Sequence, residues 1–374
     1  MGRGVVGEVV EDYANYSFAA IRGIQAGSEY YVAMCPLRQI PRIFLYDEDE
    51  IPAGYRAQRT LNKARIPEMT RYILENPNDY IFSSITVSVD GRAKFEPSTE
   101  TGFGSRVGRL VIPSSARLLV NDGQHRRAAI VEALKHNPEL GHETLSVVFF
   151  LDSGLRRSQQ MFADLNQHAV RPTRSLSILY DHRSPLARLS IKIAEEVPFF
   201  RGFTEFEKTT LSNRSTKLFT LSSIYQATKA LLGKRSTAAR ISDVEAQLAT
   251  AFWNEVGGRV PEWRLLVEHE TSAAALRKDF VHSHGVVLHA LGIAGHTLVS
   301  EHPKSWKEKL RALESIDWSR GNAKLWEGRA MIGGRLSKAY NNVVLTAALM
   351  KHVLKLPLST EEERLERRML LARE

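Results

Sequence analysis

The chain has 374 residues, 43% of them hydrophobic, with a single cysteine and a formal net charge of +9. One cysteine excludes an internal disulfide, no apolar run reaches the roughly 18–20 residues of a membrane-spanning helix, and no signal-peptide pattern opens the sequence. A soluble cytoplasmic protein of one large domain or two ordinary ones is expected, with no membrane partner. The charge is not spread evenly: residues 153–240 hold 15 Lys plus Arg against 6 Asp plus Glu, which accounts for the whole excess. Such a stripe points to a polyanion, whether DNA, RNA or a nucleotide; a solvated basic surface has the same composition.

Residues 1–55 are mixed. Segments 30–34 and 43–46 read as strands, with turns at Gly23, Gly27 and Pro36. Cys35 lies at a strand end, where a small buried hydrophobe is expected. A regulatory thiol there would need its pKa lowered by Arg38 or Arg42. Residues 56–76 read as a helix with Ile66, Met69, Tyr72 and Ile73 on one face, leaving Arg59, Lys63, Arg65 and Arg71 as its charged remainder.

Residues 80–89 are β-branched and read as a strand; Asp90-Gly91 signals a turn to a return strand at 94–95. The glycine-rich loop 102–108 carries Arg106 but lacks the Lys-Ser/Thr of a P-loop. Strand resumes at 109–112. The stretch 117–134, RLLVNDGQHRRAAIVEAL, then reads strand, polar turn, helix. Five polar side chains, Asn121, Asp122, Gln124, His125 and Arg126, surround Gly123 where a helix begins. A helix N-terminus offers unpaired N–H groups and the positive end of its dipole, and Arg126 and Arg127 add charge, so the turn is a candidate phosphate site. With Asp122 as N-cap it is equally an ordinary strand-to-helix turn.

Residues 145–151, LSVVFFL, read as a strand buried on both faces. A helix is expected over 155–165, carrying Arg156 and Arg157, followed by a polar cluster of Asp164, Asn166, Gln167, His168, Arg171, Thr173, Arg174 and Ser175 around Pro172. The basic loop 208–217, with Ser212, Asn213, Arg214, Ser215 and Lys217, is a candidate grip on a phosphate backbone. Beyond residue 218 nearly everything reads as helix. Ser242 and Glu245 form a capping box, and Thr360 with Glu363 suggests another ahead of a charged C-terminal helix. A helix over 273–298 would put His282, His289 and His296 on one face, but at a spacing of seven they are packing or interface residues rather than metal ligands. No metal site is expected. Arg335 and Lys338 precede a helix reaching Leu356 and form a second candidate DNA-facing element.

The string DGQHRRAA at 122–129 and the string MFADLNQHAVRPTRSLSILYDHR at 161–183 resemble the signatures of the DGQHR-domain proteins, and among them the DndB family of bacterial DNA phosphorothioation systems. The resemblance is clearest over about residues 56–220. It implies an α+β fold: a ParB/sulfiredoxin-like mixed core over residues 1–200, then a mostly α-helical domain over 201–374. In that superfamily a G-x-x-R turn after a strand holds nucleotide phosphates, here Gly123 to Arg126. Gln124 occupies the place of sulfiredoxin's catalytic cysteine, which sets that chemistry aside. The resemblance brings Gly123, Gln124, His125, Arg126, Arg127, Asp164, Asn166 and Gln167 to one nucleotide cleft, with ATP or another NTP and Mg²⁺ as its occupants. Asp122 or Asp164 would hold the metal between phosphates, and His125 would act as acid, base or hydrogen-bond donor.

The function so implied is a DNA-binding regulator, a transcriptional repressor of a phosphorothioate-modification operon, bound to double-stranded DNA at its own promoter. Arg156, Arg157, Arg171, Arg174, Arg214, Lys217, Arg335 and Lys338 are its candidate DNA contacts, and a homodimer on a palindrome is expected. Two alternatives stand beside it. One is a nucleotide hydrolase or nuclease with Asp122, His125 and Arg126 as catalytic groups; the other is a scaffold contacting other phosphorothioation proteins.

Overall fold

The computed structural model describes residues 15–44, 63–151, 160–161, 164–165, 172–236 and 239–371. The fold is α+β and divides into two compact units, Met1–Val170 and Arg171–Glu374.

The first unit is built on a seven-stranded sheet. Its strands are β1 (Asn15–Gln25), β2 (Ser28–Pro36), β3 (Ile85–Asp90), β4 (Lys94–Pro97), β5 (Val107–Pro113), β6 (Arg117–Asp122) and β7 (Thr144–Leu151). The spatial order is β4-β5-β1-β2-β7-β3-β6, antiparallel except between β3 and β7. Helices α1 (Ile66–Glu75) and α2 (Gln124–His136) pack against each other, and Thr70 Oγ1 donates to Ala129 O. Ile73, Ile85, Val87, Val89, Ile130, Val147 and Phe149 form the centre of the core.

Several local expectations are corrected. β1 is a long strand where only mixed structure was read; Ala19, Ala20 and Gly23 dilute the β-branched signal. Residues 40–43 form a helical turn rather than the start of a strand, because Pro41 sits at the first helical positions with its φ already set. Asp90-Gly91 does not close a hairpin. β3 pairs with β6 and β7 in the sheet's interior, while β4 pairs with β5 at the opposite edge. β7 is central in the sheet yet buried on one face: Leu145, Val147 and Phe149 are buried and Ser146, Val148 and Phe150 are half-buried. Cys35 is fully buried and burial pushes its thiol up to about 12, so Arg38 and Arg42 do not activate it.

The second unit is helical, with α3 (Arg174–Leu179), α4 (Pro185–Glu196), α5 (Leu221–Leu231), α6 (Asp243–Gly258), α7 (Pro261–Val267), α8 (Ala273–Asp279), α9 (Gly285–Glu301), α10 (Tyr340–Val353) and α11 (Thr360–Leu371) as its main elements. α3 and α4 contribute Ile178, Leu186, Leu189 and Ile193 to the core of this unit, which begins at Arg171. Phe200, Phe219, Phe252, Trp253, Trp263 and Trp326 fill the centre. The capping box of α6 forms as read, with Ser242 and Glu245 bonding each other's backbone N–H. That of α11 is one residue earlier: Ser359 Oγ accepts from Glu362 N, and Glu362 accepts from Ser359 N and from buried Lys351 Nζ.

The helix expected over 273–298 is two helices. Between α8 and α9 the chain turns through Val281–Ser283, where buried His282 accepts at Nδ1 from Trp263 Nε1 at 2.9 Å. His282 therefore leaves the face shared by His289 and His296, and His296 contacts Leu231 O at 3.0 Å. Among the described residues no helix is long and apolar enough to cross a membrane. Nor is any group of three His, Cys, Asp or Glu among them placed to hold a metal ion.

Candidate phosphate site

β6 is an edge strand with a bulge. Opposite β3 its register shifts between Thr86, which faces Asp122, and Val87, which faces Val120. Asn121 is the extra residue. A bulge re-aims the side chain it carries, and here Asn121 is fully buried, with Nδ2 donating to Ser88 Oγ at 2.7 Å and lying 3.2 Å from Met161 Sδ. The first residue of the second motif thus touches the strand end of the first.

The chain then turns at Gly123, which has φ of 105° and serves as N-cap of α2. A Cβ there would lie 2.9 Å from Ile85 Cγ1 and 3.2 Å from the Arg126 guanidinium, so glycine is required both by conformation and by the side chain folded over it. Gln124 Nε2 ties off the strand by donating to the carbonyls of Val120 and Asn121. The first helical bond runs from Arg127 N to Gly123 O, and no side chain caps the helix start. Asp122 is therefore not the N-cap. The first amides of α2 face the turn with the helix dipole behind them.

Arg126 is mostly buried and committed on two sides: Nη2 donates to Asp122 Oδ2 at 2.7 Å, and Nη1 donates to the carbonyl and hydroxyl of Ser83. An anion at this turn must share Arg126 with Asp122, whose carboxylate is half-exposed. His125 is held below the ordinary imidazole range, first by burial and then by the charge of Arg65, so it is neutral at neutral pH and able to donate or accept. Arg65, from the turn Lys63–Arg65 ahead of α1, thus joins the motif electrostatically.

Asp164 is exposed and accepts from Gln160 Nε2 at 2.7 Å. Asn166 and Gln167 lie outside the described residues, as do Arg156, Arg157 and Arg171 of the basic set and Arg59. In the second unit Arg174, Arg214 and Arg335 are exposed. Lys217 is half-buried, and its Nζ donates to Gly202 O at 2.8 Å. The basic loop it closes is a built structure. The nearly buried guanidinium of Arg277 donates to the carbonyls of Ser212, Asn213, Ser215 and Lys217. Arg277 and Arg320 escaped the sequence reading. The signal for Arg277 was the break RKDFVHSHG at 277–285, which reads as helix until the Gly is taken as a new start; Arg320 lies outside it and carries no local signal.

No curated protein and no solved structure matches the chain. A family model does: DndB, DNA-sulfur modification-associated, aligns with residues 18–357, which takes in the sheet but for the first residues of β1, the turn, and the helical unit through α10. The chain, in which the DGQHR string forms the bulged strand end, the left-handed glycine and the first turn of α2, belongs to the DndB family of DNA-sulfur modification-associated proteins.

Proposed function

We propose that the protein is a DNA-binding regulator of a DNA-sulfur modification operon, repressing its own promoter. The observation that carries this reading is the state of the basic residues in the second unit. Arg174, Arg201, Lys208, Arg214 and Arg240 are exposed, and among the described residues none has a carboxylate within ion-pair distance. Arginines left unneutralised on one segment are what a phosphate backbone binds. Membership of a DNA-sulfur modification family supplies the context.

Nucleotide binding at the 121–127 turn is the second part of the proposal. It is favoured by the uncapped start of α2 over Gly123, with Arg126 folded across it. ATP or another NTP with Mg²⁺ would occupy that site and gate DNA binding. A hydrolase or nuclease would use the same turn, with Asp122, His125 and Arg126 about the phosphate. A homodimer and contacts with other modification proteins complete the reading.

A promoter–reporter fusion tests it. Co-expression of the chain lowers reporter output from its own operon's promoter, and Arg214→Ala combined with Arg240→Ala restores it while the folded protein accumulates to the same level. Unchanged output with wild-type chain sinks the regulatory reading.

A further inference from the structure

The helical unit contains a cavity of about 680 Å³ that neither the turn nor the exposed arginines account for. Its walls come from loop 209–213, the starts of α5 and α8, the start of α9, and from Arg320 and Lys338. Among the described residues four cations line it, Arg277, Lys278, Arg320 and Lys338, and no Asp or Glu does. Among the described residues none of the four has a carboxylate within ion-pair distance. Arg277 and Arg320 instead spend their donors on backbone carbonyls: Arg277 on loop 212–217, Arg320 on Arg277, Lys278 and Gly334. Carbonyl dipoles satisfy the N–H groups but leave the net charge uncompensated. Burial holds Arg277 below its usual range, and the cavity walls do the same to Lys338, although Lys338 keeps contact with solvent. Both cations gain if an anion enters.

The polar groups around the cations fit the same ligand. α9, seventeen residues long, starts at Gly285 without a side-chain cap. A Cβ at Gly285 would lie 2.6 Å from Ser223 Oγ and 3.4 Å from Lys338 Cε, so the glycine lets the helix start, a hydroxyl and an ammonium converge. Thr220 and Ser223, hydrogen-bonded to each other, add hydroxyls at the start of α5. His284, pushed down to about 4 by burial, is neutral; its ring Nε2–H donates to Arg277 O at 2.8 Å and fixes the corner without adding charge. Leu211, Leu218, Phe219, Ala274 and Ala275 supply an apolar part of the wall, beside the neutral polar Thr209, Thr210, Asn213 and Ser283. A volume within the roughly 300–1,000 Å³ of small-molecule sites, with a cationic corner and a larger apolar share of the wall, suits a compact organic phosphate better than a bare ion.

We propose that this cavity binds a nucleotide-sized organic phosphate, its phosphate on Lys338, Arg320 and the start of α9 and its less polar part against Phe219 and Leu211. The inference does not rest on the regulatory reading, because it concerns a different set of residues from both the exposed arginines and the 121–127 turn.

Calorimetric titration of the full chain with ATP, inorganic pyrophosphate and a short DNA duplex tests it, in wild type, Lys338→Glu, Lys338→Arg and Arg126→Ala. Lys338 lines the cavity but keeps contact with solvent, and an unchanged far-UV circular dichroism spectrum and urea midpoint in each variant confirm that the fold is intact. Expected are binding of ATP more tightly than of pyrophosphate, a loss of about tenfold or more in Lys338→Glu, recovery in Lys338→Arg, and unchanged affinity at this site in Arg126→Ala. Absence of ATP and pyrophosphate binding by wild type overturns the proposal. So does binding that Arg126→Ala abolishes while Lys338→Glu retains it, which assigns the phosphate to the turn. Loss of duplex binding alone in Lys338→Glu also overturns it, since the cavity mouth would then contact backbone phosphates rather than a free ligand. In the last two cases the regulatory reading survives.

Discussion

The 121–127 turn and the cavity at the start of α9 use the same parts in opposite states. Each has an uncapped helix start, a glycine over which a cationic side chain folds, and a neutral histidine. At the turn the cation is already paired, Arg126 with Asp122. In the cavity four cations face no carboxylate among the described residues. The difference teaches that a motif's ligand-readiness is set less by its basic residues than by whether an internal anion has taken them.

The largest expected effect concerns the cavity corner. His284 is neutral in the folded state with its pKa pushed to about 4, whereas an unfolded histidine titrates near 6.5. Between those values the unfolded chain takes up a proton that the folded chain refuses. The contribution of this group is complete above pH 6.5 and is lost as pH falls toward 4, to a limit of about 3 kcal/mol. Burial lowers His282 and His289 in the same direction. Urea unfolding of the helical unit followed at pH 7.5 and at pH 4.5 reads the loss; equal midpoints at the two values contradict the assignment.

The turn gives a smaller effect. Gly123→Ala introduces a Cβ at φ of 105° against Ile85 and Arg126, at a cost of about 1–3 kcal/mol read as a lower unfolding midpoint. An unaltered midpoint would show that the turn relaxes without the glycine. The smallest effect is the most discriminating. Asp122→Asn removes the internal anion from Arg126, a half-exposed ion pair worth about 0.2–1 kcal/mol, so pyrophosphate affinity at the turn rises a few-fold. A fall in affinity in the presence of Mg²⁺, but not in its absence, would identify Asp122 as a metal ligand instead.

Much of this was legible in the sequence because it is local. The strand, polar turn and helix over 117–134, the capping box at Ser242 and Glu245, and the strand at 145–151 each depend on neighbours a few residues away. Pairing was not legible: nothing in Asp90-Gly91 says that β4 joins β5 rather than β3, since that choice is made by residues on β1 and β5. Nor was the bulge at Asn121, which exists only against β3. The cavity was missed for a related reason. Arg277, Arg320 and Lys338 are 61 residues apart at the extremes, and nothing in loop 208–217 says that its carbonyls are held by Arg277.

The most direct test of the central claim is a salt titration of binding between the purified chain and a labelled duplex of its own operon promoter, against a shuffled duplex of equal length and composition. The account predicts tighter binding to the promoter, with the logarithm of affinity falling linearly in the logarithm of salt by about 0.9 per phosphate neutralised, and a shallower slope for Arg214→Ala with Arg240→Ala. Equal affinity for the two duplexes, or no binding at low salt, would contradict it.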